Sequence, residues 1–406
     1  MDQKTNTETL RPHLVWIFSG RLDIYLSYAS WVRTTHELRN MGWTVSLLNM
    51  GKPGKAILHG EEIINLPTID IYFFRQIFYH INVLFYILAN WSTIDLVLMG
   101  QPAALLMLPI RLIRFILGKK KPILIMDTRT VPMEDNQKAT IRDKVRGWFA
   151  NQMNDFANTW ADGQTAITKR MADWFKIPPD KLWGVWASGV DVEKFSISNQ
   201  IRLWPNEGEP IHIAYIGMLH YERNLMSLCK AIEDANKEGM KFELSLTGWG
   251  TEKEDLEKFA SQTEGRIWVN PVIPSEKVPE LLAKVHVGAL PFPDEEKYRV
   301  CSPVKLFEYM ASGLPVLATK IVCFTDVIQD DAYTFWAENA TPESLLSALR
   351  TIWDSRSNLK MMGDAAARAA HSCTWKNSAE KLDAALKIGL QGMSNEQKGQ
   401  QANRIL

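Results

Sequence analysis

The chain has 406 residues, with 46 Lys plus Arg against 46 Asp plus Glu. That length suits two domains of ~100–200 residues, and the charge balance excludes a global field that would steer it onto nucleic acid. The four cysteines, Cys229, Cys301, Cys323 and Cys373, are scattered without CxxC spacing, which argues against a zinc site or a disulfide framework and for a reducing compartment.

Residues 1–12 are polar and of mixed charge, unlike a signal peptide. Residues 13–18 form a strand candidate, followed by the Ser19-Gly20-Arg21 turn, where Gly20 and Arg21 are placed to approach a ligand. A helix over 30–41 and a strand over 44–49 come next. The segment 72–91 is apolar, but Arg75, His80, Asn82 and Asn90 interrupt it, so no membrane span is expected. The segment 103–117 is apolar with Arg111 and Arg114, and Lys119-Lys120-Lys121 follow. The first reading of this pair is helices covering a parallel sheet. A basic, apolar helix pair can also rest on an anionic membrane surface, so peripheral contact with the inner face of a membrane is left open.

The runs 94–99 and 122–127 are continuously apolar, as strands buried on both faces are. The second ends in Asp127-Thr128-Arg129, an acid and a base at a strand end. Asp127 and Arg129 are candidate catalytic residues or, equally, an ion pair that ties down a loop. A helix over 141–161 and strands over 165–168 and 182–187 complete the first half. The stretch 196–210, with Pro205, Gly208 and Pro210, reads as a linker. A second series of strands follows at 211–216, 242–247, 267–269, 285–290 and 315–318, then a helix over 376–388. This alternation is that of a doubly wound α/β protein. The domain plan expected is an N-terminal Rossmann-like domain over 1–195, a linker over 196–210, and a second Rossmann-like domain over 211–375. A helix over 376–391 returning to the first domain and a flexible tail over 392–406 complete it.

Three strand-to-helix turns of the second half carry chemistry. In the first, Gly217 lets backbone approach a ligand, and Arg223 stands just before a helix, where a guanidinium can grip a diphosphate. In the second, Thr247-Gly248-Trp249-Gly250 opens space at a strand end, where α/β folds bind ligands, and Thr251 with Glu254 has the pattern of a capping box. The third, Ser302 to Thr319, is the most informative. Ser302 can cap a helix whose first position is Pro303, and Gly313 can end it in a left-handed conformation. Its first turn has no acid and carries Lys305, although a helix N-terminus is already partly positive. That arrangement suits a bound anion, commonly phosphate. Glu308, set among Leu306, Phe307, Tyr309 and Met310, can accept hydrogen bonds from hydroxyls in a cleft. The bland alternative is that Lys305 and Glu308, three apart, pair on the helix surface. Asp294-Glu295-Glu296 reads as a solvated acidic loop, and no metal site is expected.

Taken in order, Ser188-Gly189-Val190-Asp191 with Phe195, Ile216-Gly217 with Arg223-Asn224-Leu225, Thr247-Gly248-Trp249-Gly250, Ser302 to Val316 and Thr374-Trp375 resemble the motifs of the retaining, nucleotide-sugar-dependent glycosyltransferases of family 4 (glycosyl transferases group 1). The resemblance implies the GT-B architecture, two Rossmann-like domains facing a cleft. It implies transfer of a hexosyl-type sugar, with retention of configuration and without metal or other cofactor, from a UDP- or GDP-linked donor to a glycan, lipid-linked or other hydroxyl acceptor in the cytoplasm. It places the ribose hydroxyls on Glu308, the phosphates on Arg223, and the diphosphate near the N–H groups of Ser302 and Val304. The family's first acid falls on Val300 and a phosphate-binding arginine on Met218. Asp294, Glu295 or Glu296 would then have to supply the donor-sugar contact, which makes Glu295 a catalytic candidate. The alternatives are a nucleotide-sugar epimerase and a nonenzymatic nucleotide-sugar-binding or scaffold protein.

Overall fold

A computed structural model describes residues 11–24, 28–131, 141–328 and 331–402. They form two compact units. One takes the described residues before 132, residues 141–187, and the chain from Ser378 onward; the other takes 188–377.

The first unit is built on strands β1 (His13–Ile17), β2 (Thr44–Met50), β3 (Gly54–Leu58), β4 (Glu61–Leu66), β5 (Leu96–Met99), β6 (Ile123–Thr128), β7 (Gly163–Ala166) and β8 (Leu182–Val185). Their order is β3-β4-β2-β1-β5-β6-β7-β8, parallel throughout except for β3, which runs antiparallel to β4. Every residue of β5 and β6 is buried, as their unbroken apolar runs require of strands covered on both faces. The β3–β4 hairpin has no counterpart in the sequence reading, because Lys55, Glu61, Glu62 and Asn65 break the apolar pattern at the sheet edge. Strand β7 lies two residues before the expected position. Thr168 instead caps the next helix, its side chain accepting from the Met171 N–H.

Helices α1 (Ala29–Asn40), α2 (Tyr72–Ala89), α3 (Leu108–Ile116) and α4 (Ile141–Trp160) flank the sheet. Tyr79, Val83 and Ile87 of α2, Ile110 of α3, and Ala157 and Trp160 of α4 pack against one face. Leu38 of α1 packs on the other, with Leu382 and Leu386 of the long C-terminal helix Trp375–Ala402. That helix therefore returns to the N-terminal sheet, as expected, and Trp43 Nε1 donates to Asp383 at 2.8 Å to hold it.

The second unit is a parallel sheet of β9 (Ile211–Met218), β10 (Phe242–Trp249), β11 (Ile267–Asn270), β12 (Val287–Leu290), β13 (Val316–Thr319) and β14 (Thr334–Ala337), in the order β11-β10-β9-β12-β13-β14. The stretch read as a linker has a definite structure here. Asp191 caps a helix Val192–Ile201 by accepting from the Lys194 N–H at 3.1 Å. Ser198 is buried in it and donates to the Pro279 carbonyl at 2.8 Å. Just beyond, the buried Arg202 donates to the carbonyls of Gly313 at 2.7 Å and of Ser312 and Leu282 at 2.9 Å each. Pro205 and Gly208 thus punctuate a clamp on the second unit. Burial pushes the Arg202 guanidinium down to about 9, and no carboxylate among the described residues pairs with it.

Replacing Arg202 by Met leaves those carbonyls buried without donors, each worth about 1–3 kcal/mol. The expected result is a loss of roughly 2–4 kcal/mol in the stability of the second unit, seen as a lower denaturation midpoint by tryptophan fluorescence. An unchanged midpoint would show that the clamp contributes nothing.

Candidate functional site

The site in the second unit starts from two glycines at adjacent strand ends. Gly217 of β9 and Gly248 of β10 lie in register. Both have positive φ, +144° and +156°. A Cβ on Gly248 would lie 1.7 Å from the Gly217 carbonyl oxygen, and one on Gly217 would lie 2.2 Å from Cε of Lys305. Only glycine lets the two strand ends close up and the lysine side chain cross them.

Beyond β9 the chain makes a 3-10 turn, Tyr221–Arg223, and Asn224 adopts the left-handed conformation before the helix Leu225–Lys237. This turn buries Arg223, which is 7% exposed. Its guanidinium lies 4.9 Å from the ring centre of Phe292 and 5.1 Å from that of Tyr298. Aromatic faces attract a cation but supply no hydrogen-bond acceptor in the guanidinium plane, and Arg223 Nε has no hydrogen-bond partner.

The helix that bears Lys305 and Glu308 runs from Val304 to Ala311, one position later than its sequence suggests. Pro303 stands at the cap. Ser302 Oγ does not cap the helix; it accepts the Ser188 N–H at 3.0 Å and so ties the Ser188-Gly189 loop to the helix entrance. The Val304 N–H turns back to the Ser302 carbonyl at 3.1 Å, so it is spent within the chain rather than offered to a ligand. The C-terminal end follows expectation. Gly313 is left-handed at φ +64°, its N–H bonds the Met310 carbonyl at 2.9 Å, and the Leu314 N–H bonds that of Tyr309 at 3.0 Å, a Schellman motif.

Lys305 and Glu308 do not pair: among the described residues neither side chain has an ion pair within 4.0 Å or a hydrogen bond. Lys305 Nζ lies 5.9 Å from the Tyr215 ring centre. Burial first, and then the neighbouring Arg223 charge, push its ammonium down to about 8. Burial raises the Glu308 carboxyl above the usual carboxylate range, with Lys305 and Lys194 opposing. Two cations thus press on one another without a salt bridge to either, while Glu308 offsets part of the Lys305 charge at longer range.

The remaining candidates are placed differently. Asp294 is gripped by Arg299 at 2.7 and 2.8 Å, which holds it below the ordinary carboxylate range. Glu295 pairs with Lys297 at 3.0 Å, and Lys297 also meets Glu222 at 2.9 Å. Both acids are ion-paired and part-exposed, and Val300, where the family's first acid falls, is buried. The expected capping box fails. Thr251 is drawn to His220 Nδ1, and Glu252 takes the position before the helix Lys253–Ala260 without a side-chain cap. Glu252 is a residue that sequence reasoning missed. It is buried, its Oε2 lacks a hydrogen-bond partner, and burial pushes it up to about 7. The only available signal was an acid immediately after Gly250-Thr251.

In the first unit, Asp127 accepts from Thr165 Oγ1 at 2.7 Å and Trp186 Nε1 at 3.0 Å. Burial raises its pKa, against the Arg129 charge and these two donors. Arg129 lies over the Trp186 ring at 3.6 Å, with Nη1 4.0 Å from Asp127 Oδ2. The contact has the form of the loop-tying ion pair. Gly20 gives its carbonyl to the Met50 N–H at 2.9 Å, and the exposed Arg21 forks onto Asp23 at 3.2 and 2.6 Å. Among the described residues no group of three His, Cys, Asp or Glu could hold a metal.

Comparison with known proteins now bears on this geometry. Residues 210–355, which carry Gly217, Gly248, Arg223, Lys305 and Glu308, match the family described as Glycosyl transferases group 1. The sulfoquinovosyl transferase SQD2 of Arabidopsis thaliana is 27% identical over 209 residues, 49% of this chain and 38% of that protein. The chain thus spans about two fifths of the length of the curated relative it matches. Among solved structures, sucrose-phosphate synthase from Thermosynechococcus elongatus superposes with a TM-score of 0.71 at 13% identity, over 95% of this chain and 100% of that one. Anabaena HepE in complex with UDP gives 0.66 at 13% identity, over 93% and 100%. These likenesses establish the fold as GT-B, with two Rossmann-like units.

The lysine makes anion binding pH-dependent. An anion beside Lys305 raises its pKa, so binding takes up a proton near pH 8, and affinity falls as pH rises through about 8 and beyond. Calorimetry of pyrophosphate binding in buffers of different ionisation heat should show this uptake. Heats independent of the buffer at that pH would mean that Lys305 does not face the anion.

Proposed function

We propose that this protein is a glycosyltransferase that moves a sugar from a nucleoside-diphosphate sugar to a hydroxyl acceptor on a glycan or a lipid-linked saccharide. The observation that carries this reading is the juxtaposition of the buried Arg223 and the half-buried Lys305, two neighbouring cations with no ion pair within 4.0 Å among the described residues, in the segment that matches group 1 glycosyltransferases. Holding like charges together in a low-dielectric site is unfavourable unless an anion joins them. A diphosphate has the charge and the length to meet both. UDP bound to HepE and a sulfoquinovosyl transferase among the relatives support a nucleotide-sugar donor.

In the reaction, the bond from the anomeric carbon to the diphosphate breaks and a bond to the acceptor oxygen forms. The acceptor's proton leaves with the departing phosphate. Charge grows on the diphosphate as it departs, and Arg223 and Lys305 meet it with fixed positive charge. These two side chains supply the electrostatic help that a metal gives elsewhere, which supports a metal-independent reading. Glu308, whose charged form Lys305 and Lys194 favour against burial, accepts hydrogen bonds from the ribose hydroxyls and orients the nucleoside. Retention of configuration and a hexosyl donor follow the family resemblance. The four free cysteines suit a reducing compartment such as the cytoplasm.

A second reading has its own observation. Val300 stands where the family carries an acid, and Asp294 and Glu295 are held by Arg299 and Lys297. A chain that binds the nucleotide sugar and does not turn it over would look like this. Release of nucleoside diphosphate, measured with UDP- and GDP-sugars with and without saccharide acceptors, separates the two: release that requires an acceptor supports transfer, and tight binding without release supports a scaffold. Arg223→Met is expected to weaken nucleoside-diphosphate binding about 30–100-fold through loss of charge-assisted hydrogen bonds worth ~2–3 kcal/mol, and Glu308→Gln to weaken nucleoside binding with less effect on pyrophosphate. Wild-type affinity in both variants would remove the pair from the site.

A further inference from the structure

The first unit has a second feature that the donor site does not use. Helix α2 is apolar on both sides. It buries Tyr79, Val83 and Ile87 against the sheet, while Phe78, Ile81, Phe85 and Leu88 line its opposite face at helical spacing, and all four are exposed. A helix that faces water is normally polar on its outer side. The helix Leu225–Lys237 of the second unit does this, burying Leu228 and Ile232 and exposing Lys230 and Lys237. Helix α3 repeats the anomaly, with Phe115 82% and Ile116 70% exposed, and so does α4, with Trp148 62% exposed. All three helices pack on the same face of the sheet, so these side chains share the outer surface of one layer. Among the described residues no helix is long and apolar enough to cross a membrane.

The charge on α2, α3 and the segments that join them is mostly positive. Between Ile71 and Met126 the chain carries Arg75, Arg111, Arg114, Lys119, Lys120 and Lys121 and a single acid, Asp95, although the whole chain is neutral. Local carboxylates absorb part of this: Asp70 meets Arg75, Asp95 meets Lys121, and Asp162 forks onto Arg114. Arg111 donates to the neutral Trp160 carbonyl, and Lys119 meets no carboxylate among the described residues, so a positive remainder stands at the exposed end of α3. A second copy of the chain docked through this face would bring like charge onto like charge. Exposed aromatic residues beside uncompensated cations match the surface of a bilayer with anionic headgroups.

We infer that the outer face of α2, α3 and α4 docks on an anionic lipid bilayer, with Phe78, Phe85, Phe115 and Trp148 entering the headgroup region and Arg111 and Lys119 meeting lipid phosphates. The inference does not depend on the sugar chemistry.

The test is partition of the full chain onto vesicles of phosphatidylcholine alone or mixed with phosphatidylglycerol. Binding is expected to be roughly ten-fold or more tighter on the mixed vesicles and to weaken with added salt. Phe85→Glu with Phe115→Glu should reduce it by roughly ten-fold or more, while UDP or GDP affinity stays at the wild-type level, which shows that the chain remains folded. Should that variant misfold, Lys119→Glu, at an exposed loop position, should also lower the preference for anionic vesicles. Equal partition onto both vesicle types, no partition at all, or unchanged binding of the folded variants would overturn the inference. So would a stable dimer that ignores vesicles and is broken by Phe85→Glu with Phe115→Glu, which would assign the face to a second copy.

Discussion

The second unit is organised around a repulsion. Arg223 is buried and Lys305 half-buried, near enough for one to depress the pKa of the other; among the described residues no carboxylate forms a salt bridge with either, and Glu308 offsets the lysine only in part. A chain selected for stability alone would place an acid between them or leave one in water. Phe292, Tyr298 and Tyr215 accept the cations through their ring faces and leave the polar edges open. The charge is therefore stored in the fold before a ligand arrives. That is what a site needs if it is to stabilise a departing diphosphate without reorganising at the moment of reaction.

The site residues that depend on local sequence were legible, and those that depend on tertiary choice were not. Lys305 in an acid-free first turn and Gly313 after Met310 follow from rules written into a few consecutive residues, and the structure keeps both. Ser302 was misread because a serine before a proline has two uses; the Ser188 N–H, distant in sequence, took the hydroxyl that the helix would have used. Thr251 failed in the same way, drawn off by His220. Asp127 and Arg129 carried the right residue types at a strand end, but the indole of Trp186 and the hydroxyl of Thr165 absorbed the acid. Propensity names what a side chain can do; competition among partners decides what it does.

The fold was legible where the apolar runs were long. Strands β5, β6, β12 and β13 are buried at every residue, and β1 and β2 at all but the first, so their pattern survives any tertiary detail. The β3–β4 hairpin escaped notice because an edge strand is half solvated and its charges look like loop. The stretch 196–210 misled for the opposite reason. Its prolines and glycines mark turns, yet Ser198 and Arg202, both buried, fasten it to the second unit.

That fastening explains how the repulsion is sustained. The helix bearing Lys305 is held at its entrance by Ser302 on the Ser188 N–H, and at its exit by the Schellman turn at Gly313. Arg202 then takes the carbonyls of Ser312 and Gly313, the groups where the helix dipole is most negative. No contact in this set involves the Lys305 ammonium. If an ion pair held the lysine in place, a bound phosphate would have to compete for it, and the site would lose what it gained. Because the backbone is pinned at both ends and Gly217 yields the space beneath the side chain, the ammonium is positioned while its charge stays uncommitted. The cost falls on folding stability, and the benefit appears only when an anion binds.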